Sequence, residues 1–408
     1  MNVEYRLLTP DDYEQASYLE SRAFYNQSSP ERVEQLRKFF PPEWTVGAFL
    51  DGLLVADVRT IPQVRGMRGS RTPFGAVGPV ACLAPYRRRG YVGKLLKMAL
   101  ELMHERGQVL SGLHTPHDAL YRRYGWERGE GKKKYLFAPK QATLRFQSAP
   151  GTLSSVKNED WQRLDALFRA GTSDRNGPFA RVEVWWREVV LREYGRTGAP
   201  TDSDATVWTD ENGVDQGYVV YFERPTGVRE GNWEQQEIFV RDLIALTPDA
   251  YLGLWQHLLT HDLAAAIVCE TRPDDPLPDL LEDPFVVKQS ISEGAMLRIV
   301  DVERALAKRP FRGAKSAAVT IRIEDPTLPH NDGVWRIEGS GTEMRAERTD
   351  ASPQVEMSIN MLAPLYSGHL SPSVASGVGM IKIRDGSALD ALGSLFAVDD
   401  LPYSPDWY

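Results

Sequence analysis

Arg87, Arg88, Arg89 and Gly90 stand between an apolar run that ends at Cys82 and a segment of helical periodicity. Guanidinium groups make fork-shaped, charge-assisted hydrogen bonds to phosphate oxygens. A glycine at such a junction lets the backbone come close to a ligand. The unpaired N–H groups and positive dipole end of a helix favour an anion. Together these features suit a pyrophosphate. The stretch is neither G-x-x-x-x-G-K-[ST] nor G-x-G-x-x-G. By charge alone a solvated basic turn is the simpler account. Arginines at the positive end of a helix are misplaced, however, unless an anion joins them.

Other residue groups are weaker candidates for chemistry. Cys82 could be a nucleophile, but a cysteine on an apolar strand is usually only buried. His257 and His261 lie one helical turn apart without the glutamate of H-E-x-x-H or an evident third ligand, so no metal is expected. His114 and His117 bracket a turn and read as structural or substrate-lining. Phe24, Phe39, Phe40 and Trp44 could wall an acceptor pocket, with Phe24 and Trp44 taken as the substrate candidates.

The elements that must position the arginines follow from patterning. Thr9, Pro10, Asp11 and Asp12 are the start signals of a helix whose apolar stripe includes Tyr13, Ala16 and Ala23. A second helix opens at Ser29-Pro30. Two strands flank the Asp51-Gly52 turn, and a third runs through "FGAVGPVACL". From Gly90, residues Val92, Leu95, Leu96, Ala99 and Met103 recur at helical spacing up to Gly107. "VLSGL" reads as a strand, "DALYRRYGW" as a helical turn, and "KKKYLFAP" as the strand that closes the region. Residues 1–145 therefore read as one α/β domain with a mostly antiparallel sheet.

The next region repeats the first weakly. "LAPYRRRGYVGKLL" (Leu83 to Leu96) aligns without gaps with "LTPDAYLGLWQHLL" (Leu246 to Leu259), matching Pro85 with Pro248 and Gly90 with Gly253. Ala250, Tyr251 and Leu252 replace the three arginines. The expectation is a copy at residues 146–288 that keeps the strand-loop-helix shape without the cations. "PDDPLPDLLEDP" reads as a boundary loop. Residues 289–408 read as a third, α+β region, opened by "AMLRIVDVERALAKR" as a strand and a helix.

A net charge of −8 argues against a general nucleic-acid binder. Two cysteines make no disulfide framework, which fits a reducing compartment. The charged N-terminus lacks a signal-peptide core, and no stretch approaches the ~18 apolar residues of a membrane helix. A cytoplasmic protein with no membrane partner is expected.

"VACLAPYRRRGYVGKLL" with "LYRRYGW" resembles the acetyl-CoA-binding motifs of the GCN5-related N-acetyltransferases (GNAT). The whole layout, with an active copy, a degenerate copy and an α+β tail that includes "MLRIVDVERAL" and "LFAVDDLPYSPDWY", resembles the Eis-type acetyltransferases. The resemblance implies tandem GNAT-like folds, each a mixed sheet flanked by helices, plus an SCP2-like (sterol-carrier-protein-like) α+β domain. It implies that Val80, Ala81 and Cys82 meet the pantetheine arm of acetyl-CoA, and that Arg87, Arg88, Arg89, Gly90, Tyr91, Val92 and Gly93 form the pyrophosphate loop. It implies direct attack of an amine on the thioester. The pattern Y-x-x-x-G-F falls on Tyr121 to Trp126 and makes Tyr121 the acid. The Eis-type pattern places a tyrosine where Trp126 stands, and an indole N–H is no ordinary proton donor. The base is implied to be the C-terminal carboxylate, of Tyr408. The implied acceptor is a small-molecule or lysine-like primary amine, and the implied assembly is a homo-oligomer, often a hexamer. The rival reading is a lipid-binding or scaffold protein with a vestigial acetyltransferase domain. A transferase of longer acyl chains is a third.

Overall fold

The computed structural model describes residues 3–25, 28–194, 200–230 and 233–408. Its first elements are β1 (Val3–Leu7), α1 (Tyr13–Phe24), α2 (Pro30–Phe39), β2 (Thr45–Leu50), β3 (Leu53–Met67), β4 (Ser70–Cys82), α3 (Tyr91–Glu105), β5 (Leu110–Leu113), α4 (Asp118–Arg122) and β6 (Glu127–Arg128). The start signals act much as expected. Thr9 N–H bonds Asp12 Oδ2 at 2.8 Å, although Pro10–Asp12 form a 3-10 turn and the α-helix proper begins at Tyr13. Ser29 caps α2 by accepting from the Arg32 N–H. Asp51 and Gly52 take φ of 48° and 86°, the left-handed pair that a tight hairpin needs.

Strand alternation separates two layers. Ala48 and Val55 face α3, whose Leu95, Leu96, Ala99 and Met103 bury against them. Phe49, Leu54 and Ala81 face α1, against Ala16 and Leu19. Helices α1 and α3 thus lie on opposite faces of the first sheet.

The chain continues through β7 (Gly131–Phe137), β8 (Gly151–Ser155), α5 (Trp161–Thr172), β9 (Asn176–Phe179) and α6 (Glu183–Trp185), which runs on as a π-helical stretch to Val190. A small hairpin of β10 (Arg192–Tyr194) and β11 (Pro200–Asp202) follows, then β12 (Asp204–Asp210), β13 (Asp215–Glu230), β14 (Trp233–Ala245), α7 (Pro248–Leu259), β15 (Ala264–Thr271), β16 (Lys288–Glu293) and β17 (Met296–Ile299). The last part holds α8 (Val302–Lys308), β18 (Ala317–Glu324), β19 (Gly333–Ser340), β20 (Glu343–Arg348), β21 (Val355–Ser358), α9 (Ile359–Ser367), α10 (Pro372–Gly377), β22 (Lys382–Ile383) and α11 (Ser387–Phe396).

The first sheet has the order β1-β2-β3-β4-β5-β17-β6, with β9 also paired to β3. The second has the order β16-β7-β15-β14-β13-β12-β8, and the third β20-β19-β18-β21-β22. The first two share one device: a long strand, a helix, and a short parallel partner. These units are β4-α3-β5 and β14-α7-β15.

Strand pairing runs across the expected limits near residues 145 and 288. The strand expected to close the first region, β7, pairs with β15 and β16 of the second sheet. The strand read as opening the third region, β17, pairs with β5 and β6 of the first. "PDDPLPDLLEDP" is no boundary, because it joins β15 to β16 within the second sheet. Periodicity marks a strand but carries no record of its partner. One apolar core accordingly continues from Phe74 and Leu110 through Trp186 and Tyr218 to Ile337 and Phe396.

Candidate active site

Strands β4 and β5 pair only at Phe74 to Ala76. Beyond that point β4 runs on to Cys82 while β5 ends at Leu113, so the parallel pair opens. Against β3, Val58 pairs with Val80 and Thr60 with Val77. Gly78 and Pro79 therefore oppose Arg59 alone, which is a β-bulge. Val80, Ala81 and Cys82 border the opening with one edge paired to β3. The Cys82 thiol is pushed up by burial, which disfavours the thiolate a nucleophile needs.

The junction after β4 is built to leave amides free. Leu83 lacks a capping side chain, Ala84–Tyr86 make one 3-10 turn, and α3 begins at Tyr91 with Gly90 as its N-cap. Arg88 and Gly90 are left-handed, with φ of 62° and 85°, and a Cβ at Gly90 would meet nothing within 4 Å. Arg87 Nε donates to the Cys82 carbonyl at 3.1 Å, and Arg89 Nη2 to Pro85 O at 3.0 Å. Two arginines thus brace the loop, while Arg88 stands exposed at its crest. The first turn of α3 contains no acidic residue. An uncapped helix start, open space at Gly90 and exposed cations fit an anionic group such as a pyrophosphate. Tyr91 and Val92 provide the first turn and pack their side chains against the α3 core. Gly93 has another occupant: the Tyr124 hydroxyl lies 2.2 Å from where its Cβ would be.

Tyr121 sits on α4, just beyond the end of β5. Its ring is buried edge-on to Trp126, with centroids 6.2 Å apart. Burial pushes its phenol up to about 12, and the Thr115 side chain is its hydrogen-bond partner. It therefore stays protonated at neutral pH. Trp126 is fully buried with no partner for its indole N–H.

The chain terminus reaches this same end of β5. The Tyr408 ring packs between Phe179 (5.3 Å), His114 (5.0 Å) and Phe74 (6.2 Å). Trp407 stacks on His114 at 4.5 Å, and Lys132 Nζ lies 3.2 Å from the Trp407 ring centroid. Burial, then Lys132 and Arg65, hold His114 down at about 3, so it is neutral. Lys132 is itself pushed down to about 8 by burial.

The two acceptor-pocket candidates are not brought together. Phe24 is exposed at the end of α1. Trp44 packs on the α3 face under Arg106, whose guanidinium carbon lies 4.7 Å from its ring centroid. Phe40 is the aromatic at the opening, since a Cβ on Gly78 would strike its ring at 2.4 Å. Beside it lies a buried ion cluster. Arg59 bonds Asp57 at 2.8 Å, Glu20 at 2.7 Å and Ala16 O at 2.8 Å, and Arg32 joins Glu20. Burial raises the Asp57 carboxyl despite Arg59. The sequence reading passed over Arg59, Lys132, Tyr124 and the residues that hold the tail, and it named His114 only as structural or substrate-lining. One signal was present: Arg59, Arg65, Arg181 and Arg298 each interrupt an apolar run, and all four are buried.

His257 and His261 meet Tyr221 and Thr206 on the second sheet. Among the described residues no cluster of three or more His, Cys, Asp or Glu is placed to hold a metal. No helix among them is long and apolar enough to cross a membrane.

Family models match in three segments. Residues 4–129 match an acetyltransferase (GNAT) domain, residues 177–299 a second acetyltransferase (GNAT) domain, and residues 302–405 a sterol carrier protein domain. An uncharacterised N-acetyltransferase of Streptomyces griseus is 27% identical over the full length of both chains. The N-acetyltransferase Eis of Mycobacterium tuberculosis is 25% identical, covering 96% of each. The crystal structure of Eis1 from Mycobacterium abscessus superposes over all of both chains with a TM-score of 0.83 at 26% identity. The protein is an acyltransferase, and acetyl-CoA is the donor that GNAT domains use. The chain belongs to the GCN5-related N-acetyltransferases, in the Eis-type layout of two acetyltransferase domains followed by a sterol carrier protein domain.

Proposed function

We propose that the first acetyltransferase domain acetylates a primary amine by direct attack, with Tyr121 as acid and the Tyr408 carboxylate as base. Bound acetyl-CoA supplies an activated acetyl group, so that a nitrogen–carbon bond forms as the carbon–sulfur bond breaks. Arg88, the amides that follow Gly90 and the open edge of β4 hold the donor. The terminal carboxylate takes a proton from the ammonium of the acceptor. The Tyr121 phenol gives one to the leaving sulfur, and its high proton affinity keeps that proton available.

One arrangement supports this reading above others: Tyr121 and the docked chain end flank the same open end of β5. Tyr121→Phe is expected to lower kcat by about 10²-fold or more, with the KM for acetyl-CoA unchanged. Coenzyme A thiol release measures both. Full turnover by this variant rejects the acid assignment. The same assay over primary amines, and over acyl donors of increasing length, identifies acceptor and donor. The working unit is proposed to be a cytoplasmic homo-oligomer, which sedimentation tests.

The alternative is a lipid carrier, which tight binding of a fluorescent lipid without acetyl transfer would favour. The core beneath the third sheet is built from Ile321, Trp335, Ile337, Leu362, Leu395 and Phe396. Arg309 is buried there on the carbonyls of Tyr366 (2.8 Å) and Leu395 (2.7 Å).

A further inference from the structure

The second sheet opens at the place where the first does, and the opening is already filled. Strands β14 and β15 pair in parallel up to Val240 and Cys269, and then diverge. In the first domain the corresponding gap faces the proposed donor site. In the second, the gap is lined by Asp242 to Ala245 and Cys269 to Arg272, and the chain's own Asp400, Leu401, Tyr403 and Pro405 lie in it. The Tyr403 hydroxyl donates to the Glu270 carbonyl on β15 at 3.0 Å. The cavity left is about 100 Å³, below the ~300 Å³ at which ligand pockets begin.

From there the tail runs along β9, the strand that joins the first sheet. The Tyr403 N–H bonds the Asn176 carbonyl at 3.0 Å. Gly177 has a φ of 132°, and a Cβ there would lie 2.2 Å from the Tyr403 oxygen, so no other residue lets the two backbones cross. Asp406 is buried between Arg181 Nε (3.0 Å) and Trp185 Nε1 (2.8 Å). Arg181 in turn pairs with Asp242 of β14. At the end of the track Tyr408 meets Phe179, the last residue of β9.

We infer that the open end of the second sheet is a socket for the chain's own C-terminal segment, with Tyr403 and Asp406 as positioning residues for the terminal carboxylate. The socket stands on the contacts above. The positioning role rests on the base assignment made for that carboxylate. The second domain then takes no acyl-CoA: its cleft holds the tail that completes the first domain's site.

Cys269 is buried in the wall of the socket beneath Tyr403, and Cys82 is half-buried at the other opening. Alkylation of the full chain, followed by peptide mapping, reads both thiols at once. In Asp406→Asn, Cys269 is expected to react about tenfold faster while Cys82 keeps its rate, because local opening and not global unfolding exposes the socket. Tyr403→Phe removes one hydroxyl, keeps the Asp406 anchor, and is expected to show the same pattern at smaller size; it guards against a poorly folded Asn variant. An unchanged Cys269 rate in both variants, equal acceleration at both thiols, or calorimetry giving two acetyl-CoA per chain overturns the socket. In Asp406→Asn kcat is expected to fall about tenfold with the KM for acetyl-CoA unchanged. Faster Cys269 alkylation with full kcat leaves the socket standing and overturns the positioning role alone; the base role is read separately, by deletion of Tyr408, where full kcat would reject it.

Discussion

The two strand-to-helix junctions share a spacing and differ in where the helix begins. After β4, residues Leu83 to Gly90 form a loop before α3. After β14, only Leu246 and Thr247 precede α7. Thr247 accepts from the Ala250 N–H, and Pro248 occupies the first helical position, so the helix starts at once. Ala250, Tyr251 and Leu252 match the three arginines in an ungapped alignment, yet they lie inside α7. Ala250 and Leu252 are buried, and Tyr251 bonds Asp275 at 2.8 Å. The second copy thus keeps the strand and the helix but not the long loop between them, which shrinks to Leu246 and Thr247. A spacing match between leucines and prolines does not carry the cap, and the cap decides whether a loop forms. The second helix end is also occupied by its own side chains: Thr247 caps it, and Asp249, in its first turn, accepts from the Ala149 N–H at 2.7 Å.

The sharpest way to break this contrast is to restore the cations. Ala250→Arg places a charge at a fully buried position and is expected to lower stability by about 3–5 kcal/mol. Thermal unfolding measures the loss, and calorimetry should show no added acetyl-CoA site. A variant that melts like the parent would mean that Ala250 is not in the helix interior.

The shared glycines should part next. Gly253 lies in α7, where a Cβ would be 2.3 Å from Trp208 Nε1. Gly253→Ala is expected to cost about 1–3 kcal/mol from overpacking. Gly90 has space but a left-handed backbone, so Gly90→Ala should cost about 1 kcal/mol, and Gly90→Asn less. Equal tolerance of Asn at both positions would erase the distinction.

What could be read from residues was local. The stripe of α3, the Ser29 cap and the Asp51-Gly52 hairpin are decided within a few residues, and each formed where expected. The partner of β7, the place of β17 and the track of the tail are decided by contacts between distant residues. Asp406 and Arg181 are 225 positions apart, and neither carries a mark of the other. Of the candidate site, the arginine loop and Tyr121 could be singled out from a helix start and a short family-like pattern, and the roles given to them are proposals. His114 and Phe40 could be named only among loosely placed candidates, and Arg59 not at all, because the opening they border exists only once two sheets are assembled.

The smallest effect is the most specific to the first junction. Arg88 holds a φ of 62°, a conformation that costs a non-glycine residue about 1 kcal/mol or more. It is exposed. Arg88→Gly relieves the strain and removes the charge together. Thermal stability is expected to hold or rise by up to about 1 kcal/mol, since glycine also loosens the unfolded chain. The KM for acetyl-CoA is expected to rise about tenfold, through loss of a charge-assisted contact to phosphate. That rise should shrink at high salt, which already screens the parent's exposed contact. Opposite signs for stability and donor affinity are what a residue held for a ligand predicts. A fall in stability with unchanged KM would make Arg88 part of the turn alone.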